Sequence, residues 1–230
     1  MWKLMKLELQ KHRLRWYPAG AAIASVLIVL LICMICYVEK AEGGSALSGL
    51  EEMFIIGGSL VRATFIVFAA VLISKLIIEE YKSKTVQVLF MYPISRRKLM
   101  AAKLLIVFGL TLVTMVLSSL FVYIVFLAVN HYLQLLPGSI DEINFGEQLI
   151  SLTAFSVAAA GTSLVPLYMG MRNHSVPATI VSSFVIVAVI SGHNPAYSIA
   201  SIIYIPAALA IVGIAVAWRS LRNIERADLH

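Results

Sequence analysis

Residues 79–103 read EEYKSKTVQVLFMYPISRRKLMAAK, and they stand between two long apolar runs, 54–78 before and 104–129 after. Each run exceeds the roughly 20 residues that an α-helix needs to cross the hydrocarbon layer of a bilayer. The chain is therefore expected to leave a membrane, stay out for a short polar stretch, and return. That stretch carries charge at both ends, yet its middle, TVQVLFMYP, is apolar again. Thr85 can start a short helix on which Val86, Leu89, Phe90 and Pro93 share one face, and Pro93 ends it. Ser95 suits the N-cap of the next helix, which opens with Arg96, Arg97 and Lys98. Positive charge at a helix N-terminus opposes its dipole, so anionic headgroups or an acidic partner must favour it there. A short apolar helix on a membrane face fits two uses: docking into the groove of a soluble protein, or lying in the headgroups.

The composition agrees with a bilayer as solvent. Of 230 residues, 60% are hydrophobic and 13% charged, against about half and a quarter in ordinary soluble domains. Six apolar segments are read as spans, at 17–38, 54–78, 104–129, 148–170, 176–191 and 199–218. The expected fold is an all-α membrane protein with six transmembrane helices in a single transmembrane domain over 1–230. Residues 1–16 form an interfacial helix and 79–103 a cytosolic segment between the second and third spans. Too little chain remains for a separate soluble domain.

Orientation follows from Lys and Arg. With the N-terminus cytosolic, only Lys40 of the 18 basic residues falls in an outer loop, and Arg62 falls inside a span. Both termini and 79–103 are thus expected on the cytosolic side. The net charge of +6 is accounted for by anionic inner-leaflet lipid and needs no nucleic acid. Trp2 and Trp16 in the basic N-terminal stretch, and Lys103 at the start of the third span, are read as membrane-surface anchors.

The sequence offers no catalytic or metal site. No Gly precedes a Lys, so a Walker-type phosphate loop is absent; there is also no G-x-S-x-G and no H-E-x-x-H. Cys33 and Cys36 form a C-x-x-C inside the first span, where two small apolar side chains are the simpler reading. In the fourth span, rich in Ser, Ala, Gly and Thr, Pro166 should bend the helix. Residues 199–205, ahead of Pro206, can dip into the membrane and return. Arg62 lies well inside the second span on one face with Gly58, Phe65 and Ala69. An intramembrane cation is a functional candidate by default; the alternative is that it snorkels to Glu51 or Glu52.

Glu79, Glu80, Thr85, Leu89, Pro93, Ser95, Arg96 and Lys103 together resemble the segment between the second and third spans of ABC-2 type permeases. The layout also resembles that family along the whole chain; Lys84 departs from it, standing where the family usually has Gly. In size the chain is similar to the small stand-alone permeases of lantibiotic immunity, bacitracin resistance and peptide export. The resemblance implies that 79–103 contains a coupling helix, with Glu79, Glu80, Thr85, Val86, Leu89, Phe90, Pro93, Ser95 and Arg96 meeting an ATP-binding subunit. It implies two such subunits carrying ATP and Mg, and a second permease chain. It further implies a substrate path, for which Arg62 is the candidate, and a bacterial cell membrane. A rival from another class is an intramembrane CAAX-type protease, since Glu79–Glu80 is followed by Lys84. That enzyme needs H-x-x-x-N, but Leu135, Ala178 and Tyr197 stand four residues past His131, His174 and His193. An ATP-independent carrier or scaffold is a further alternative.

Overall fold

A computed structural model describes residues 16–42, 49–82, 96–133, 145–173, 175–190, 193–194, 197–198 and 204–223. Helix α1 spans Trp16–Glu42, α2 Leu50–Ile73, α3 Arg96–Leu133, α4 Phe145–Thr162, α5 Pro166–Asn173, α6 Val176–Ile190 and α7 Tyr204–Asn223. α2 does not stop at Ile73: it continues through a π-helical turn, Ser74–Ile78, into a last α-helical turn, Glu79–Lys82. Between α6 and α7, His193 pairs with Ser198 and Asn194 with Tyr197 in a minimal antiparallel ladder. The expected interfacial helix over 1–16 lies, apart from Trp16, outside the described residues. So do residues 83–95, which take in the expected apolar turn and with it Thr85, Val86, Leu89, Phe90, Pro93 and Ser95.

The expectation of six transmembrane helices is corrected. Among the described residues, four helices are long and apolar enough to cross a membrane: Trp16–Ala41, Glu52–Ile78, Lys98–Leu133 and Gln148–Arg172. The segments expected as fifth and sixth spans form shorter apolar helices, Val176–Ile190 and Ala207–Arg219. The 15 residues of α6 rise about 23 Å at 1.5 Å each, short of the ~30 Å hydrocarbon layer. In the last segment, Pro206 and Arg219 bracket an apolar run that is shorter still. Apolar content located these segments, but length decides whether a helix crosses.

Local chemistry explains several boundaries. Pro18 sits in the first turn of α1 and Pro166 and Pro177 in the first turns of α5 and α6, where no intrahelical N–H is required. Pro166 also ends α4. It cannot donate to the carbonyl of Thr162, which instead accepts from the Val165 amide at 3.0 Å, while the Leu164 amide turns to Gly161 O at 3.2 Å. Side chains take up neighbouring carbonyls: Ser163 Oγ donates to Ala160 O and Thr162 Oγ1 to Ala158 O. Backbone polar groups without water must be satisfied within the protein, and the hydroxyl-rich sequence before Pro166 supplies the donors.

α2 is the central helix. Val61, Phe65, Ile66, Ala69, Ala70, Leu72 and Ile73 are buried on it. One core gathers Phe65, Ile66, Met115, Val122 and Phe126; a second gathers Leu72, Leu76, Ile77, Leu104, Val107 and Leu167 around the π turn. Apolar contact alone does not hold helices together in lipid, so close approach and hydrogen bonds take that role. α1 is tied to α3 by Ser25 Oγ and Ser118 Oγ at 2.6 Å and by Tyr17 Oη and Thr114 Oγ1 at 3.1 Å. α4 and α7 touch backbone to backbone at Gly161, Ala210 and Gly213. The outer surface is apolar: Ile23, Leu27, Leu30 and Met34 on α1, and Val181, Phe184 and Val185 on α6, are exposed. Such a surface suits lipid.

Candidate functional site

Two polar clusters lie inside this apolar body. The first is at the end where α2 and α3 approach the 83–95 segment. Glu80 belongs to the last turn of α2, and Lys103 stands in the third turn of α3. Their side chains form an ion pair, and Lys103 Nζ also donates to Leu76 O at 2.8 Å. Both residues are buried, Glu80 8% and Lys103 3% exposed. Lys103, expected at the membrane surface, is thus turned inward across the helix pair.

The π turn belongs to the same arrangement. Its closing amide, on Glu79, donates to Ser74 O, five residues back. A π turn accommodates one extra residue, and so rotates the succeeding turn by about 100° relative to a continuous α-helix. It also loosens the regular carbonyl ladder, and Leu76 O within it accepts from a lysine of another helix. Nearby Glu79 and Lys75 are exposed, and the Lys75 ammonium lies over the Trp16 ring, 4.2 Å from its centroid. That contact joins the start of α1 to the end of α2 by a cation–π interaction. Trp16 is therefore placed against a neighbouring helix as well as at the helix start. Arg96 opens α3, directly after the segment.

The second cluster surrounds Arg62. The residue is 8% exposed, and its guanidinium carbon lies 4.6 Å from the centre of the Phe155 ring on α4. Tyr123 of α3 stands alongside, its hydroxyl donating to Phe54 O at 3.0 Å and its ring edge-on to Phe54 at 4.8 Å. Gly58 leaves the room for both: a Cβ there would sit 3.0 Å from the Tyr123 hydroxyl and 3.4 Å from Arg62 Nη1. Arg62 thus joins α2, α3 and α4 near the middle of the bundle. Phe65 and Ala69, on the same face, are fully buried.

The sequence singled out Arg62 as a charge within a span, Glu80 by family resemblance and Lys103 as a surface anchor, but not the contacts that hold them. Phe155, Tyr123 and Leu76 O are brought in by tertiary packing, and nothing in their local sequence marks them. Cys33 and Cys36 are free thiols. Among the described residues, no group of three or more His, Cys, Asp or Glu is placed to hold a metal ion.

An apolar helical bundle with a buried ion pair between α2 and α3 can now be set beside known proteins. Residues 4–189 match the family described as ABC-2 family transporter protein. The chain belongs to the ABC-2 transporter family. It is also similar to "Uncharacterized protein YcbO" of Bacillus subtilis (strain 168), 47% identical over 225 residues that cover 98% of this chain and 99% of that one. ABC-2 membership makes it a multi-pass membrane protein of permease type, consistent with a role in transport. The family match starts near the N-terminus and runs to the end of α6, so it takes in both polar clusters. Membership also implies association with ATP-binding cassette subunits.

Proposed function

We propose that this ABC-2 protein is the membrane-spanning subunit of a bacterial ABC transporter in the cell membrane, with ATP and Mg bound by two copies of a separate ATP-binding subunit. A second permease chain, identical or related, completes a path for an apolar or peptide-like substrate moving outward, as in export or immunity to antimicrobial peptides. Both termini and 79–103 face the cytosol. The observation that carries the reading is the family match over residues 4–189; residues 1–230 hold no phosphate-binding loop, which supports placing ATP hydrolysis on a partner. The contact is the turn at 86–92 of the 79–103 segment, with Val86, Leu89 and Phe90 entering a groove of the ATPase and Pro93 closing the turn. Glu79, Glu80, Thr85, Ser95 and Arg96 flank it. Arg62 is the polar element of the substrate path.

The test replaces Leu89 and Phe90 together by Asp. Each fully buried large apolar side chain is worth roughly 1.5–3 kcal/mol, and the new charges would stand in an apolar groove. The double variant should insert normally and lose the ATP-binding subunit on purification from its own membranes. Unchanged recovery of that subunit would remove the segment from the interface.

A further inference from the structure

The buried pair between Glu80 and Lys103 poses a question that stability does not answer. Taking two charges out of water is costly, and apolar residues of similar volume often hold such a place as well or better. This pair also joins the C-terminal end of α2 to the N-terminal part of α3. Glu80 is two residues from Lys82, the last described residue of the α2 extension, and Lys103 is seven residues beyond Arg96, the first of α3. The two helices meeting there are the stalks of the 83–95 segment. Lys103 makes two contacts at once, one to the Glu80 carboxylate and one to Leu76 O inside the π turn. It therefore fixes the spacing of the stalks and also the register of the one turn in α2 that departs from α-helical bonding.

A π turn is a natural place for a helix to change register, since its extra residue is held less tightly than in an α-helix. Left to itself, it would absorb a push applied at Lys82 by shifting there. Lys103 ties the carbonyl of that turn to α3. The surroundings favour the same outcome: Leu76, Ile77 and Ile78 are fully buried, and a Cβ on Gly170 of α5 would stand 2.8 Å from the Ile78 side chain. The turn is thus held by apolar packing from the α5 side and by a directional charged contact from α3.

We propose that Lys103 is a positioning residue: with Glu80 and Leu76 O it clamps the two stalks of the 83–95 segment into one rigid body, so that displacement of that segment is passed into α2 and α3 and is not taken up at the π turn. The inference rests on the coupling role proposed for the segment. Removing the charges while keeping the volume, by Glu80→Leu with Lys103→Met, loosens the stalks. Lys103→Arg keeps the charge and the donors and retains the clamp.

The experiment uses the full chain, lacking Cys33 and Cys36, purified with the ATP-binding subunit that accompanies it. Spin labels at Glu79 and Lys98, both exposed, report the distance between the stalks. In a second sample, labels at Ile55 and Tyr132, both exposed, report the far ends of α2 and α3. Each sample is measured without nucleotide and after trapping with ATP and orthovanadate. With the pair intact or as Lys103→Arg, the stalk distance should stay narrow in both states while the far-end distance shifts on trapping. In the apolar double variant, the stalk distribution should at least double in width and the far-end shift should disappear. A stalk distribution as narrow in the double variant as in the wild type, with the far-end shift retained, overturns the clamp. Should Lys103→Arg loosen the stalks as much as the double variant, charge is not what holds them and the inference falls. Failure of the coupling reading looks different: the wild-type chain would then keep no ATP-binding subunit, and the width of the stalk distribution alone would judge the clamp.

Discussion

Replacing Gly213 by Ala adds a single methyl group where α7 runs against the backbone of α4. A Cβ at this position would stand 2.2 Å from the carbonyl oxygen of Gly161, 3.1 Å from its carbonyl carbon and 3.3 Å from Val165. Two of these three contacts are to backbone, so no side chain can rotate away. Comfortable separations are about 3.5 Å, and α4 and α7 must therefore part by about 1 Å at the crossing. A gap of that size forfeits a quarter to a half of each van der Waals contact near it, and overpacking of this kind costs about 1–3 kcal/mol. Ala is also the better helix former, by up to about 1 kcal/mol, so the two effects oppose each other. Separation of a packed crossing outweighs propensity, because in lipid close packing is itself the main attraction between helices. Gly213→Ala should lower the thermal midpoint of the detergent-purified protein, at about 2–4 °C per kcal/mol for a chain of this size. Gly109→Ala in α3 is the matched control: a Cβ there meets nothing within 4 Å, so only the propensity gain remains and the midpoint should hold or rise. The measurement is fluorescence-detected thermal unfolding of the two variants side by side. If Gly213→Ala is as stable as the wild type, the backbone contact between α4 and α7 does not support the bundle.

The same geometry bears on other residues. Arg62→Ala and Phe155→Leu should each destabilise the bundle, and a double-mutant cycle between them should give a coupling of about 0.5–2 kcal/mol from the cation–π contact; a coupling of zero in unfolding measurements would show that the guanidinium does not use that ring. For orientation, single cysteines at Ser45 and Ser83, in a chain without Cys33 and Cys36, should react with an impermeant maleimide from outside and inside respectively. Labelling of Ser83 in intact cells would reverse the proposed topology.

The helices themselves were largely legible. The segment expected at 17–38 is found within Trp16–Glu42, and that at 104–129 within Arg96–Leu133, because apolar runs of this length have few other uses. Their ends were not legible: polar residues that hydropathy assigns to a loop continue the helix, as Glu79–Lys82 continues α2. The break near Pro166 was foreseeable, since the missing amide hydrogen is written in the sequence. The shortness of α6 was legible too: the segment expected at 176–191 is already under the roughly 20 residues a span needs, and the helix found, Val176–Ile190, is 15 residues long. The inward contacts of Lys103 were not legible for a related reason. A lysine at the start of a span reads as an anchor in the headgroups, and only the continuation of α2 past Ile78 brings Glu80 within its reach. Arg62 stood out as a charge among apolar residues, but Tyr123 and Phe155 come from distant helices and carry no local signal.

α3 runs unbroken for 38 residues, about 57 Å at 1.5 Å per residue, nearly twice the ~30 Å hydrocarbon layer. It contains no proline, so it has no built-in kink of that kind. Such a helix acts as a lever whose fulcrum is the bilayer. Tilting it by about 5° around its midpoint carries each tip roughly 2.5 Å, in opposite directions. Its first residue, Arg96, adjoins the 83–95 segment, and its last, Leu133, lies at the far end of the rod. A sideways nudge on one side of the membrane thus becomes an equal and opposite sweep on the other, with no change in the backbone hydrogen bonds within the shaft.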